Sequence, residues 1–142
     1  MMLLDANLLL YAYDSTAPEH PNAKSWLEAV LARPEPVLLP WYSIHAFLRI
    51  ASNPRAWKSP LKIEEARTIV DDLLSLPNVV TPSPGEQHWS ILRELMAESQ
   101  CRGLLVSDAV MAALAIENGA ELCTNDRDFS RFSKLRVVNP FE

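Results

Sequence analysis

The chain has 142 residues, of which 49% are hydrophobic and 22% charged, with a net charge of −5. That length and composition suit one globular domain, able to bury roughly 70% of its unfolded-chain surface without disulfides or a structural metal. The acidic balance excludes a protein that coats nucleic acid through diffuse positive charge, but it leaves room for grouped acids and a few local cations.

Met1–Leu4 is a short apolar run cut off by Asp5, and it predicts a first strand. Asn7–Tyr13 predicts a helix, interrupted by Pro18 and Pro21. Asn22 is a candidate cap for a helix through Ala32, with Ala23, Trp26, Leu27, Val30 and Leu31 on one face. Pro34 and Pro36 end it, and Val37–Leu39 predicts the second strand, stopped by Pro40. Ser43 is the candidate cap of the next helix, through Ser52, with Ile44, Phe47, Leu48 and Ile50 as its apolar set. Asn53-Pro54 breaks it.

Ile63–Leu76 is strongly periodic and predicts a helix, followed by a strand at Asn78–Thr81 and a Pro-rich loop at 82–85. Glu86–Glu98 predicts a further helix, and Gly103–Val106 a loop or short apolar lead-in. Ser107 is the candidate cap of a helix over Asp108–Glu117, closed by Asn118-Gly119. Glu121–Thr124 and Arg136–Val138 predict the last two strands. Short apolar strands alternating with helices predict an α/β fold, a three-layer α/β/α sandwich with a central, mostly parallel sheet of four to five strands. No repeat or linker divides the chain, so residues 1–142 read as one domain.

Two cysteines, Cys101 and Cys123, match no zinc spacing, and Cys123 reads as a buried free thiol. The opening Met-Met-Leu-Leu-Asp5 has no basic segment of a signal peptide, and no run is long enough to span a membrane. The cytoplasm is the expected location.

Ligands of an open parallel sheet bind beyond the carboxyl ends of its strands. Asp5 ends the first strand, Asp126 and Asp128 follow Glu121–Thr124, and Asp108 opens a helix. Asn7, Ser107, Thr124 and Asn125 flank these acids. Singly, most have ordinary roles: Asp108 favours a helix start, and Asp126 and Asp128 suit a turn. Asp5 is harder to explain that way, because a charge in a tight strand-to-helix turn is costly unless paired or metal-bound. Together they would repel, and a divalent cation is the natural remedy. All-oxygen ligands select magnesium or manganese, which can activate water for attack on phosphorus. His20, His45 and His88 form no catalytic set, and three glycines leave no glycine-rich phosphate loop.

The opening Asp5-Ala6-Asn7-Leu8-Leu9-Leu10-Tyr11-Ala12-Tyr13-Asp14 resembles that of PIN domains. Ser107-Asp108-Ala109-Val110-Met111-Ala112-Ala113-Leu114-Ala115 resembles the family's central Asp-Ala helix, and Thr124-Asn125-Asp126-Arg127-Asp128-Phe129 is similar to its last acidic motif. Phe47-Leu48-Arg49-Ile50-Ala51-Ser52-Asn53-Pro54-Arg55 resembles a segment of one branch of VapC-type toxins. The resemblance covers essentially the whole chain. It implies a magnesium- or manganese-dependent ribonuclease, a homodimer and a cognate antitoxin. By position, Asp5, Asp108 and Asp126 take the catalytic and metal-ligand roles, Asp128 joins the metal set, and Asn7 and Thr124 support them. PIN domains usually carry a Glu where this chain has Ala46, and no acid occurs from Trp41 to Ser59.

For RNA, one group of local cations is Arg49, Arg55, Lys58 and Lys62, with Trp57 among them as a candidate base-stacking ring. Arg127, Arg131, Lys134 and Arg136 form another. Two further readings fit the same residues: a non-catalytic PIN-like RNA-binding or regulatory module, and a PIN nuclease of RNA processing without an antitoxin.

Overall fold

The computed structural model describes all 142 residues. In chain order the elements are β1 (Met2–Leu4), α1 (Ala6–Tyr13), α2 (His20–Leu31), β2 (Val37–Leu38), α3 (Trp41–Ala51), α4 (Ile63–Ser75), β3 (Val79–Val80), α5 (His88–Ser99), α6 (Leu105–Glu117), β4 (Glu121–Cys123), a 3-10 turn (Arg127–Arg131) and β5 (Val137–Val138). The strands lie in the order β3-β2-β1-β4-β5, and every neighbouring pair is parallel. Met2 of β1 stands opposite Val37 on one side and Glu121 on the other. The order reverses direction beside β1, so the crevice between β1 and β4 is the topological switch point.

Strand alternation divides the core into two halves. Leu4, Val37, Leu39 and Cys123 face one side, where α1, α2, α3 and α4 supply Leu8, Leu27, Phe47 and Val70. Their neighbours Leu3, Leu38 and Leu122 face the other side, against Leu95 of α5, Met111 and Leu114 of α6, and Phe129 of the turn. A period of two in strands buried on both faces requires this pattern. Fully burying each such side chain contributes about 1.5–3 kcal/mol. The result is a three-layer α/β/α fold, and no helix is long and apolar enough to cross a membrane.

Three helices begin earlier than their apparent caps. Helix α2 starts at His20 and takes Pro21 into its first turn, where the missing N–H costs nothing. Helix α3 starts at Trp41, directly after Pro40. Ser43 does not cap it; this buried hydroxyl donates to the Leu4 carbonyl at 2.7 Å. Helix α6 starts at Leu105, with no side-chain cap. Gly103, at φ +61°, turns the chain, and the Leu105, Val106 and Ser107 N–H groups bond three residues back. The expected lead-in loop is therefore partly helix. Asn118 and Gly119 do close α6: the Asn118 amide donates to the Leu114 carbonyl at 2.8 Å, and Gly119 has φ +65°.

The apolar faces of α2 and α4 are largely used within the chain. Ala23, Leu27 and Val30 of α2 are buried, as are Ala66, Val70 and Leu73 of α4. Ile63 and Leu74 of α4 are exposed, and further large exposed apolar side chains include Trp41, Tyr42, Trp89 and Leu104.

Helix α5 receives its cap from another element. The Glu117 carboxylate of α6 accepts from Gly85 N at 2.9 Å and Gln87 N at 3.1 Å. A Cβ on Gly85 would lie 2.6 Å from Glu117 Oε2, so glycine keeps this contact open. Glu117→Ala should destabilise the protein by about 1–2 kcal/mol, and Glu117→Gln by less, as read by urea denaturation. An unchanged midpoint for Glu117→Ala would show that water replaces the cap without cost.

Candidate functional site

The ends of β1 and β4 meet through the Thr124 hydroxyl. Thr124 is 1% exposed. Its Oγ1 donates to Asp5 Oδ2 at 2.7 Å and accepts from Asn7 Nδ2 at 3.1 Å and from Asp126 N at 3.0 Å. One donor and two acceptor positions are thereby all used. Asp5 Oδ1 takes the Ala6 N–H at 2.7 Å, capping α1. Asp126 in turn caps the 3-10 turn by accepting from Asp128 N at 2.9 Å.

Asp108 enters from the first turn of α6. Carboxylate oxygens of Asp108, Asp126 and Asp128 lie within 4.8 Å of one another. This is the one group of three or more Asp, Glu, His or Cys side chains close enough to share an ion. Asp5 lies at its base, tied to Thr124 and Ala6. It is outside the closest trio but near enough that its charge acts on Asp108. Ligands about 2.1 Å from an octahedral ion stand roughly 3–4 Å apart, so small side-chain motions would bring the trio onto one hard cation.

Electrostatics shows the strain of this grouping. Burial and then the charges of Asp126, Asp128 and Asp5 push the Asp108 carboxyl up to about 6, opposed by Arg131. Burial also raises Asp5, with a smaller push from Asp126, while the Thr124 and Ala6 hydrogen bonds pull it down. A divalent ion would relieve this repulsion, and the all-oxygen donor set suits a hard one. The sequence pattern sets Arg131 only within a basic group. It lies beside the site, donating through Nε to the Asp128 carbonyl at 3.0 Å.

The remaining candidates lie apart from the carboxylates' contacts. Arg49 and Arg55 are exposed, Arg49 in the last turn of α3 and Arg55 in the loop beyond it. Trp57 is half-buried and packs against the core. His20 bonds the Tyr11 carbonyl, and His45 lies against Trp41. Cys123 is a buried free thiol, with burial pushing its pKa up to about 12, so it is no nucleophile at neutral pH.

A family model described as PIN domain matches residues 2–135. Ribonuclease VapC31 of Mycobacterium tuberculosis is 36% identical over 140 residues, 99% of each chain. The chain belongs to the PIN-domain family, in its VapC ribonuclease group. The VapC ribonuclease Mb2897 of Mycobacterium bovis is 34% identical over 142 residues, covering 100% of this chain and 97% of the relative. Among solved structures, VapBC2 from Rickettsia felis, bound to a DNA fragment from its promoter, aligns with a TM-score of 0.72 at 21% identity, covering 97% of both chains. That likeness agrees with the α/β/α PIN fold.

Ala46, which the sequence resemblance sets against the family's usual Glu, lies on α3. Ser43 pins the first turn of α3 to the end of β1, one residue before Asp5. Ala46 lies three residues on, on the same side of the helix, and is half-buried. Its methyl group offers no ligand, and the acids grouped at this site are Asp108, Asp126 and Asp128, with Asp5 at their base.

Proposed function

We propose that this PIN domain, residues 1–142, is a metal-dependent endoribonuclease and the toxin of a VapBC-type toxin–antitoxin pair. The observation that carries the reading is the carboxylate trio at the switch point of a chain similar to VapC ribonucleases over its full length. Asp108, Asp126 and Asp128, with Asp5 at the base, would hold magnesium, for which manganese substitutes. The ion supplies activation of a water and neutralisation of charge on the phosphate. Thr124 holds Asp5 and Asp126 in place, and Asn7 fixes the Thr124 hydroxyl. Arg131 offsets part of the carboxylate charge that would otherwise repel RNA. Partners on this reading are RNA, a cognate antitoxin and a second copy of the chain, in the cytoplasm. The exposed Trp41, Tyr42, Ile63, Leu74, Trp89 and Leu104 are among the apolar positions open to protein partners.

Incubation of the purified protein with a panel of RNAs, with manganese and with EDTA, tests the activity. Cleavage with manganese alone is expected. An intact panel in both conditions would overturn the nuclease reading.

Arg49 and Arg55 cannot titrate near neutral pH, so their role would be to position RNA. Replacing both with Ala should flatten the log–log salt dependence of RNA binding by roughly one to two units. An unchanged slope would move the RNA track elsewhere. Ala46→Glu should tighten manganese binding by about tenfold, because it adds a hard anionic ligand beside a cage otherwise built from four aspartates. Calorimetric titration would read this, and unchanged affinity in a folded variant would mean that position 46 faces away from the ion.

A further inference from the structure

A cleft of about 470 Å³ opens beside the carboxylates, where the chain leaves β4 and β5. Of the four surface cavities, it alone shares residues with the acidic site: Thr124 and Asp126 are in its wall. Its other polar lining is Asn125, Arg127, Ser130, Asn139 and Glu142. The apolar wall is Val137, 38% exposed.

The hydrogen bonds inside the cleft leave free donors on its two amides. Asn139 Nδ2 donates to Asn125 Oδ1 at 3.0 Å, and Asn139 Oδ1 accepts from Phe141 N at 3.0 Å. Each amide carbonyl thus has one of its two acceptor positions in use, while the Asn125 NH₂ and one Asn139 N–H remain free to donate. Arg127 is held only loosely. Its side chain is 90% exposed, and its single ion pair, with the 64% exposed Glu142, spans 3.7 Å. Such a pair contributes little and is readily exchanged for a better anion. A guanidinium fork matches a phosphate bidentately. A volume of this size, lined mostly by polar side chains with Val137 as its one hydrophobic residue, fits a small polar ligand such as one nucleotide.

We propose that this cleft binds the nucleotide next to the cleaved phosphodiester, with Arg127 on its phosphate and the Asn125–Asn139 pair on its base. The proposal rests on the nuclease reading for its place in the reaction, but not for its binding chemistry. The free amide N–H groups match a base edge with two acceptors. Guanine offers N7 and O6 there, whereas adenine places a competing amino donor beside N7. Guanine is therefore the preferred base. Arg127 and the two asparagines act as positioning and specificity residues and take no part in proton transfer.

Titration of the isotope-labelled full chain in EDTA with guanosine 5′-monophosphate, adenosine 5′-monophosphate and inorganic phosphate tests this by NMR. Saturable shifts of the Asn125 and Asn139 side-chain amides are expected with the guanine nucleotide, with affinity about threefold or more above that for adenine. Arg127→Ala should weaken binding about fivefold or more, and Arg127→Lys should restore it only in part. Glu142→Gln should tighten it about twofold, since it removes a competing anion. This opposite sign would not arise from general damage to the fold. In manganese-dependent cleavage, Arg127→Ala should raise KM about tenfold and change kcat by less than about threefold. No saturable shift at about 10 mM nucleotide overturns the proposal. So does equal binding of inorganic phosphate, which would leave an anion site without base recognition, and so does an unchanged KM in the variant. If the wild type cleaves no RNA, the nuclease reading falls while the nucleotide titration still decides the cleft.

Discussion

Replacing Asp108 with Asn is expected to abolish RNA cleavage while making the metal-free protein more stable at neutral pH. Asn keeps the size and suits the first turn of α6, so the fold should survive. The change removes one of three carboxylates grouped within 4.8 Å, and with it an anionic ligand. The stability effect follows from the raised Asp108 pKa, about 6 against 3.8 for a free side chain. As pH rises from about 4 to 6, the unfolded chain loses this proton while the folded protein still holds it, so stability falls. Above about 6 the penalty is complete; below about 4 it is absent. Discounted for solvent screening at a partly exposed group, it amounts to about 1 kcal/mol, or roughly 3 °C in melting temperature. The variant should therefore melt higher than the wild type at pH 7.5 in EDTA and level with it near pH 4. Manganese should reverse the order, because an ion at 100 times its Kd stabilises the wild type by about 2.7 kcal/mol and has lost a ligand in the variant. Near-normal cleavage would remove Asp108 from the site. A lower melting temperature in EDTA would mean that the carboxylate makes a favourable contact instead.

Much of the fold was legible in the chain because the signals are local. An apolar run stopped by Asp5, and another stopped at Thr124, mark strands buried on both faces with polar residues at their carboxyl ends. Their parallel pairing then brings Asp5 and Asp126 to one edge by topology alone. Ser43 and Ser107 show what local reading misses. Both sit where a cap is expected, but Ser43 finds its partner 39 residues away in Leu4, and Ser107 lies inside α6 because Gly103 starts the turn earlier. Pro21 reads as a break in the chain pattern, yet it is compatible with the first turn of α2. The closeness of Asp128 to Asp108 depends on the 3-10 turn that Asp126 caps, and no spacing in the sequence reports it. The paired amides of the cleft were hidden for the same reason: Asn125 and Asn139 are 14 residues apart and meet only because β4 and β5 run parallel.

Thr124→Val should lower cleavage about 10–100-fold, the loss typical when a group that orients metal ligands is removed. Valine has nearly the shape of threonine, so little packing changes at this buried position. What disappears is a hydroxyl with all three hydrogen-bonding positions in use. The Asn7 amide and the Asp126 N–H would each lose an acceptor, and Asp5 Oδ2 would lose its donor. An unsatisfied buried group costs about 1–3 kcal/mol, so urea denaturation should show a loss in that range. Activity should fall further than stability explains, because the change also acts on ionisation. The Thr124 hydrogen bond is the largest influence holding the Asp5 pKa down against burial. Without it Asp5 rises further, and more acid must be neutralised before the carboxylate can serve as a ligand. The acid limb of the pH–rate profile should accordingly move to higher pH in the variant. Thr124→Ser keeps the hydroxyl and loses only a methyl group, at about 1 kcal/mol. It should retain the wild-type profile with a rate within about threefold, since none of the three bonds depends on the methyl. A folded Thr124→Val protein with wild-type rate and profile would show that Asp5 and Asp126 hold their positions without this hydroxyl.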